Sequence, residues 1–265
     1  MPITPIVLAA GVLGGLGVLF GLILTFADKK FAVPVDERFV LVREAVAGAN
    51  CGACGYPGCD GYAQAVVSGK AAIDLCTPGG QKTLDALAQI MGQDTKATDV
   101  QVARVLCQGE TGVVKPRYEY TGPQTCHTAV GLAGGPSMCQ WGCVGYGDCV
   151  RVCRFNAMKI ENGIVVIDED ACTACGMCVK ECPRSVIKLL PKAARVTVRC
   201  QNAAAPREAR DTCTKACIAC KRCEKACQFD AIHVVNNCAI IDPVKCTLCG
   251  ECVKVCPTNC IEQLA

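Results

Sequence analysis

From Ile6 to Ala27 the chain runs for 22 residues without a charge, and a mixture of apolar and polar positions begins only afterwards. As a helix rising 1.5 Å per residue this run reaches about 33 Å, enough to cross the hydrocarbon core of a bilayer. It lacks a basic leader and ends at Asp28-Lys29-Lys30 without a clean small-residue cleavage site, which favours an uncleaved anchor over a signal peptide. Gly11 and Gly15, Gly17 and Gly21, and Ala10 and Gly14 each lie four apart, a spacing that lets a second helix approach closely in lipid. Beyond the anchor, Asp36 to Ala47 has its apolar positions at helical spacing, and Thr83 to Met91, stopped by Gly92, reads as a second short helix. Ile164 to Ile167 and Ala239 to Ile241 read as short strands. Thr111 to Pro136 is rich in glycine and proline and reads as a linker.

Composition changes this picture through one residue type, since 26 of 265 residues are cysteine. A share near 10% is the mark of disulfide-stapled secreted domains. Here, however, the cysteines fall in runs two or three residues apart, as in Cys172, Cys175, Cys178 and Cys182, and such runs suit a shared metal centre better than bridges between distant segments. Persistent thiolates also imply a reducing compartment, so the bulk of the chain is expected on the cytoplasmic side, where Lys29 and Lys30 place it as well.

The first group is Cys51, Cys54, Cys59 and, 17 positions on, Cys76, with Gly52, Gly55, Gly58 and Gly61 among them. Four thiolates around a glycine-rich loop fit one [4Fe-4S] cluster, with a four-cysteine zinc site as the alternative. The second signal is a repeat. Adding 74 to Cys139, Cys143, Cys149, Cys153, Cys172, Cys175, Cys178 and Cys182 gives Cys213, Cys217, Cys223, Cys227, Cys246, Cys249, Cys252 and Cys256. Arg154-Phe155-Asn156-Ala157-Met158 matches Gln228-Phe229-Asp230-Ala231-Ile232 at the same offset, so a module was duplicated.

Each copy ends in the C-x2-C-x2-C-x3-C-P run of bacterial two-cluster ferredoxins, in which the fourth cysteine serves the neighbouring cluster. On that rule Cys172, Cys175, Cys178 and Cys153 hold one cluster and Cys139, Cys143, Cys149 and Cys182 hold the next. In the second copy Cys246, Cys249, Cys252 and Cys227 hold one. Its partner uses Cys217, Cys223 and Cys256 with either Cys213, favoured by the repeat, or Cys220, favoured by ferredoxin spacing and preferred here. The total is five [4Fe-4S] clusters. Cys107, Cys126, Cys200, Cys238, Cys260 and the unused member of the Cys213/Cys220 pair are expected to be small core residues. His127 and His233 are expected as packing or surface residues, and Trp141 as a shield for a cluster.

The expected fold is α+β: a transmembrane anchor at 1–30, a small helical [4Fe-4S] domain at 31–110, a linker at 111–136, and ferredoxin-like modules at 137–192 and 193–265. No G-x-G-x-x-G follows a strand, so nucleotide cofactors are expected to bind elsewhere. The net charge is +3, but Lys180 to Lys225 carries 12 Lys+Arg against 4 Asp+Glu and would steer an acidic partner. Nucleic acid is not expected, because the basic residues lie among the cluster cysteines and aromatic residues make up only 5% of the chain.

Over nearly its whole length the chain resembles the B subunit of the Rnf complex, called Rsx in enterobacteria. The resemblance rests on the anchor ending at Lys30, the Gly-Ala-Asn-Cys-Gly-Ala-Cys-Gly-Tyr-Pro-Gly-Cys text around Cys51, Cys54 and Cys59, and the ferredoxin-like runs after it. It implies a subunit of a membrane complex, an ion-translocating ferredoxin:NAD+ oxidoreductase. That complex oxidises ferredoxin, reduces NAD+ and pumps Na+ or H+, and this subunit receives the electrons and passes them to its membrane partners. Two features depart from that family: this chain has two modules where shorter members have one, and Arg154 and Gln228 replace the proline after the fourth cysteine. A stand-alone iron–sulfur reductase and a zinc scaffold without redox activity are the alternative functions. Iron and acid-labile sulfide content separates the last from an electron carrier.

Overall fold

The computed structural model describes residues 3–31, 36–94 and 99–264, with side chains from Gly11 onward in the first segment. Its first helix, α1 (Ile3–Phe31), contains the apolar run, and the stretch Gly11–Phe31 is long and apolar enough to span a membrane. Leu13, Val18, Leu22, Leu24 and Phe26 are each at least 66% exposed on it, an outward apolar surface that calls for lipid or partner helices. A Cβ added at Gly11, Gly14, Gly15, Gly17 or Gly21 meets nothing, so the small-residue face is open.

The second unit is helical. Asp36 caps α2 (Glu37–Ala45) by accepting the Arg38 N–H at 2.9 Å, and Gly92 in the left-handed conformation ends α4 (Gly80–Met91). Between them lie α3 (Cys59–Val67) and a turn of 3-10 helix at Thr77–Gly79. Val42, Tyr62, Val66, Leu84 and Leu87 form their common core, against which Cys54 and Cys76 pack.

The remainder is built from two-stranded antiparallel pairs and single helical turns, in the order β1 (Gln101–Val105), α5 (Cys126–Gly131), α6 (Asp148–Arg151), β2 (Met158–Glu161), β3 (Ile164–Ile167), α7 (Met177–Glu181), β4 (Ile187–Pro191), β5 (Val196–Val198), α8 (Pro206–Thr212), α9 (Arg222–Ala226), β6 (Ile232–Val235), β7 (Cys238–Ile241), α10 (Glu251–Lys254) and β8 (Ile261–Gln263). β2 and β3 form a hairpin across Asn162-Gly163, and β6 and β7 another across Asn236-Asn237. All four turn residues have positive φ, as a two-residue type I′ connection requires.

The outer pairs were not anticipated. β1 pairs with β4 from Gln101↔Pro191 to Val105↔Ile187, and β5 pairs with β8 from Val196↔Gln263 to Val198↔Ile261. Residues 101–110 thus sit with the first ferredoxin-like module rather than with the helical unit, where local spacing alone would place them. The stretch 111–136 carries α5 instead of serving only as a linker. Division along the strand pairings puts the helical unit at 36–94 and the two modules after 99, a boundary we propose in place of 110. The physical reason is strand partnership across more than 80 residues, which local spacing does not reveal.

The modules are pinned together by Arg104, only 4% exposed. Its guanidinium grips Glu169 through two bonds of 2.8 and 3.1 Å and donates to the backbone carbonyls of Lys192 and Ala194 in the strap between β4 and β5.

Candidate iron–sulfur sites

Four loops in the two modules share one backbone. Counting from the first cysteine of each, left-handed residues stand at the third, fifth and fourteenth positions: Gly145, Gly147 and Asn156; Ala174, Gly176 and Ser185; Ala219, Lys221 and Asp230; Leu248, Gly250 and Asn259. A non-glycine residue such as Leu248 or Lys221 adopts positive φ at a cost, and the same strain at matching places marks a shape imposed by a common function. In each loop the residue at the fifth position caps a short helix, so backbone N–H groups turn inward over the space the cysteines surround.

This shape bears on the choice between Cys213 and Cys220. Ala219 and Lys221 flank Cys220 as Ala174 and Gly176 flank Cys175, which favours Cys217, Cys220, Cys223 and Cys256 as one set. Burial first, and then the neighbouring charges of Cys217, Cys220 and Cys256, push the Cys223 thiol up to about 11. In the first copy the place of Cys220 is taken by Tyr146, whose ring packs on Tyr120 at 5.5 Å.

Three cavities follow the loops. One is lined by Cys153, Cys172, Cys175 and Cys178, and one by Cys227, Cys246, Cys249 and Cys252, each the set expected from spacing. The third is lined by Cys143, Cys149, Cys182 and Cys126. Cys139, expected there, lines instead a separate cavity with Cys107, Cys200 and Cys213. The reason lies in α5. Thr125 caps it by accepting the Thr128 N–H at 3.2 Å, the His127 N–H donates to the buried Asp148 carboxylate at 3.2 Å, and the His127 ring contacts the Glu181 carbonyl at 2.9 Å. These bonds set Cys126 against α6 and α7, opposite the gap that Tyr146 leaves. The signal was present in the repeat, because adding 74 to Tyr146 gives Cys220 and exposes a missing ligand.

In the helical unit the Cys59 N–H donates to Asn50 Oδ1 at 2.8 Å, and Gly52, Gly55 and Gly58 all have positive φ, folding the loop of Cys51, Cys54 and Cys59 toward Cys76. Arg154, the residue in place of the usual proline, donates to the Asn50 carbonyl at 2.7 Å and so docks this loop on the first module. Burial, followed by the charges of nearby thiols beginning with Cys51, raises the Cys175 thiol.

The donor set and its spacing fit [4Fe-4S] clusters. A tetrahedral zinc site with bonds of about 2.3 Å holds its sulfurs about 3.8 Å apart. A [4Fe-4S] cubane instead takes one thiolate on each of its four irons, which the four-cysteine sets with ferredoxin spacing supply. Burial pushes Cys149 and Cys178 up to about 12, so both are protonated thiols until a metal displaces the proton. Sulfur-directed N–H groups recur, from Ala103 to Cys172 and from Ala231 to Cys227, both at 3.4 Å.

Cys238 and Cys260 behave as expected of small core residues, both buried in the second module. They also touch ligand sulfur. The Cys260 sulfur lies 3.6 Å from Cys256, whose thiol is lowered to about 5, first by the bond from Cys260. Replacement of Cys260 by alanine removes a donor that favours the more negative, reduced state. The midpoint potential of the Cys217–Cys256 cluster is expected to fall by about 40 mV, the one-electron equivalent of about 1 kcal/mol, in an anaerobic titration followed by electron paramagnetic resonance.

Known families match the same segments. A model described as "Putative Fe-S cluster" matches residues 47–78, and a "4Fe-4S binding domain" model matches 165–188, 214–233 and 239–262. The loop from Cys143 to Cys149, with Tyr146 inside it, lies outside those matches. Over 97% of its length the chain is 48% identical to the B subunit of the Na(+)-translocating ferredoxin:NAD(+) oxidoreductase complex of Acetobacterium woodii, covering 78% of that protein. It is 34% identical to the B subunit of the ion-translocating oxidoreductase complex of Methanosarcina acetivorans, over 95% of this chain and 96% of that one. With the proton-translocating counterpart of Clostridium ljungdahlii it shares 36% identity, over 94% and 89% of the two chains.

Proposed function

The chain belongs to the family of B subunits of the ion-translocating ferredoxin:NAD(+) oxidoreductase complexes, the Rnf complexes, and from that premise we propose the route its electrons take. It is an electron-transfer subunit of such a complex, with [4Fe-4S] sites in a helical domain and in tandem ferredoxin-type modules behind an apolar N-terminal helix. When bound, each cluster accepts and returns one electron. The protein supplies thiolates, inward N–H groups and a dry core, and needs no general acid or nucleophile.

The observation that carries the route is the bond of Arg154 to the Asn50 carbonyl, which docks the loop of Cys51, Cys54 and Cys59 on the first module, close enough for the Cys51 charge to act on Cys175. Cys227, Cys246, Cys249 and Cys252 lie at one end, followed by Cys217, Cys220, Cys223 and Cys256. Cys126, Cys143, Cys149 and Cys182 follow in the first module, then Cys153, Cys172, Cys175 and Cys178. Cys51, Cys54, Cys59 and Cys76 come last, joined through Arg154 and nearest in sequence to α1. Electrons enter at the C-terminal module, where Cys220 and Cys249 are exposed, and leave beside the membrane. Lys29 and Lys30 put the cluster domains on the cytoplasmic side. Ion translocation itself falls to other subunits, because the spanning part of α1 offers no charge before Asp28.

The donor is reduced ferredoxin. Much of the basic region is consumed internally: Lys192 pairs with Asp170, Arg195 with Glu169, Arg199 with Glu262, and Arg184 donates to the carbonyls of Cys139 and Gly142. Arg207, Arg210, Arg222 and Lys225 are exposed, and among the described residues none of them forms an ion pair. Arg222 and Lys225 lie on α9, directly after Cys220, and Arg207 and Arg210 on α8, and together they supply the exposed positive charge an acidic ferredoxin would meet. Reversal of Arg207, Arg210 and Lys225 to glutamate is expected to slow reduction by ferredoxin roughly tenfold at low salt, with the difference shrinking as ionic strength rises. Stopped-flow rates that match the unmodified subunit at every salt concentration would remove this docking face.

A further inference from the structure

We propose that Cys107, Cys139, Cys200 and Cys213 form a sixth [4Fe-4S] site that joins the two modules. The inference rests on the cluster reading of the other sites and extends it to four cysteines that spacing left scattered over more than 100 residues.

All four line one cavity, and its space between atoms, about 410 Å³, resembles the 340, 360 and 350 Å³ of the three cavities lined by complete cysteine sets. Cys107 and Cys139 are buried, and Cys200 and Cys213 are partly buried. Trp141, Leu106, Val114 and Ala216 share the lining with Cys143, whose N–H faces this cavity, and with Arg199, Asn202 and Lys215.

The cavity has an internal two-fold likeness that chance packing would not produce. Cys139 and Cys213 correspond under the 74-residue repeat. Cys107 and Cys200 correspond through the outer strands: Ala103 on β1 lines the cavity of Cys153, Cys172, Cys175 and Cys178, Val196 on β5 lines that of Cys227, Cys246, Cys249 and Cys252, and each is followed four residues later by the cysteine in question. Even the hydrogen bonds match. The Cys107 sulfur accepts the N–H of Gly109 at 3.2 Å and of Cys143 at 3.3 Å. The Cys200 sulfur accepts the N–H of Asn202 at 3.5 Å and of Cys217 at 3.3 Å, where Cys217 is the repeat equivalent of Cys143. Asn202 also points its amide toward the Cys139 sulfur at 3.9 Å. Two N–H groups on each of two sulfurs, two residues ahead and one loop across, is an arrangement that holds negative thiolate in a protein core.

The position explains the need. Cys143 belongs to the neighbouring set in the first module and Cys217 to that in the second, and both N–H groups bond to sulfurs of this site. A [4Fe-4S] cluster held here takes one electron from the second module and gives one to the first, with no bond made or broken. Assembly exchanges four thiol protons for iron.

The test uses the full chain, purified anaerobically in detergent. Native mass spectrometry with iron and sulfide analysis is expected to find six clusters and about 24 iron per chain. Cys107→Ser and Cys213→Ser, one from each module, are each expected to lose about four of those irons and the same one of six paramagnetic signals. A wild-type chain with five clusters and about 20 iron, unchanged in Cys107→Ser, overturns this site alone, and a chain without iron overturns the reading of the others as well. One zinc per chain, lost with Cys107, also overturns it. The count on the unaltered chain decides the matter even where a variant fails to fold.

Discussion

Cys126→Ser is expected to abolish the cluster of Cys143, Cys149 and Cys182, removing about four iron per chain and cutting electron transfer between the modules by orders of magnitude. The effect is large because a wire has no parallel branch: Cys126 stands where Tyr146 leaves the loop one thiolate short. Three thiolates can still hold a cubane with an exposed iron, but such a cluster loses iron on air exposure and shifts in potential. Ferredoxin-driven reduction of the Cys51–Cys76 cluster is the sensitive readout, by freeze-quench paramagnetic resonance. Restoration of the cluster in Cys126→Ser by a second change, Tyr146→Cys, is the expected rescue, because Gly145 and Gly147 already give that position the backbone of Cys220. Full iron content in Cys126→Ser would return the fourth place to Cys139.

Arg104→Met should be the most damaging change away from any ligand. It leaves Glu169 without its two-point partner and strips the Lys192 and Ala194 carbonyls of their donor, in a place where the guanidinium is 4% exposed. Breaking such a pair costs about 3 kcal/mol, more than the methionine regains by filling the volume. Arg195, 3.4 Å from the same carboxylate, limits the loss but cannot reach the strap carbonyls that Arg104 bonds. The strap between β4 and β5 is expected to exchange its amide hydrogens roughly a hundredfold faster, while α2, α3 and α4 keep their protection. Unchanged exchange at residues 192–198 would show that strand pairing alone holds the modules in register.

Much of the architecture was legible before any coordinates. A 22-residue uncharged run can only be satisfied as a spanning or partner-covered helix, and α1 follows it. Ile164–Ile167 forms the predicted strand, and Cys238–Ile241 adds one residue to the other, because hairpins are set by local alternation and turn chemistry. The triads at two- and three-residue spacing fall where the ferredoxin rule puts them, since one loop carries three ligands and its shape is encoded within it.

Sequence by itself therefore determined the long apolar N-terminal helix, the duplication and the cysteine triads whose members share one loop. Tertiary structure alone decided the rest. β1 finds β4, and β5 finds β8, across more than 60 residues, and those pairings deliver Cys107 and Cys200 to one place. Cys126 reaches its cavity on α5 through bonds to Asp148 and Glu181, residues that no spacing rule connects to it. Cys139, though it keeps the repeat register with Cys213, turns away from its own loop and toward the other module. A metal site asks only that sulfurs meet in space, and where they come from distant segments the chain's order is silent about which will meet.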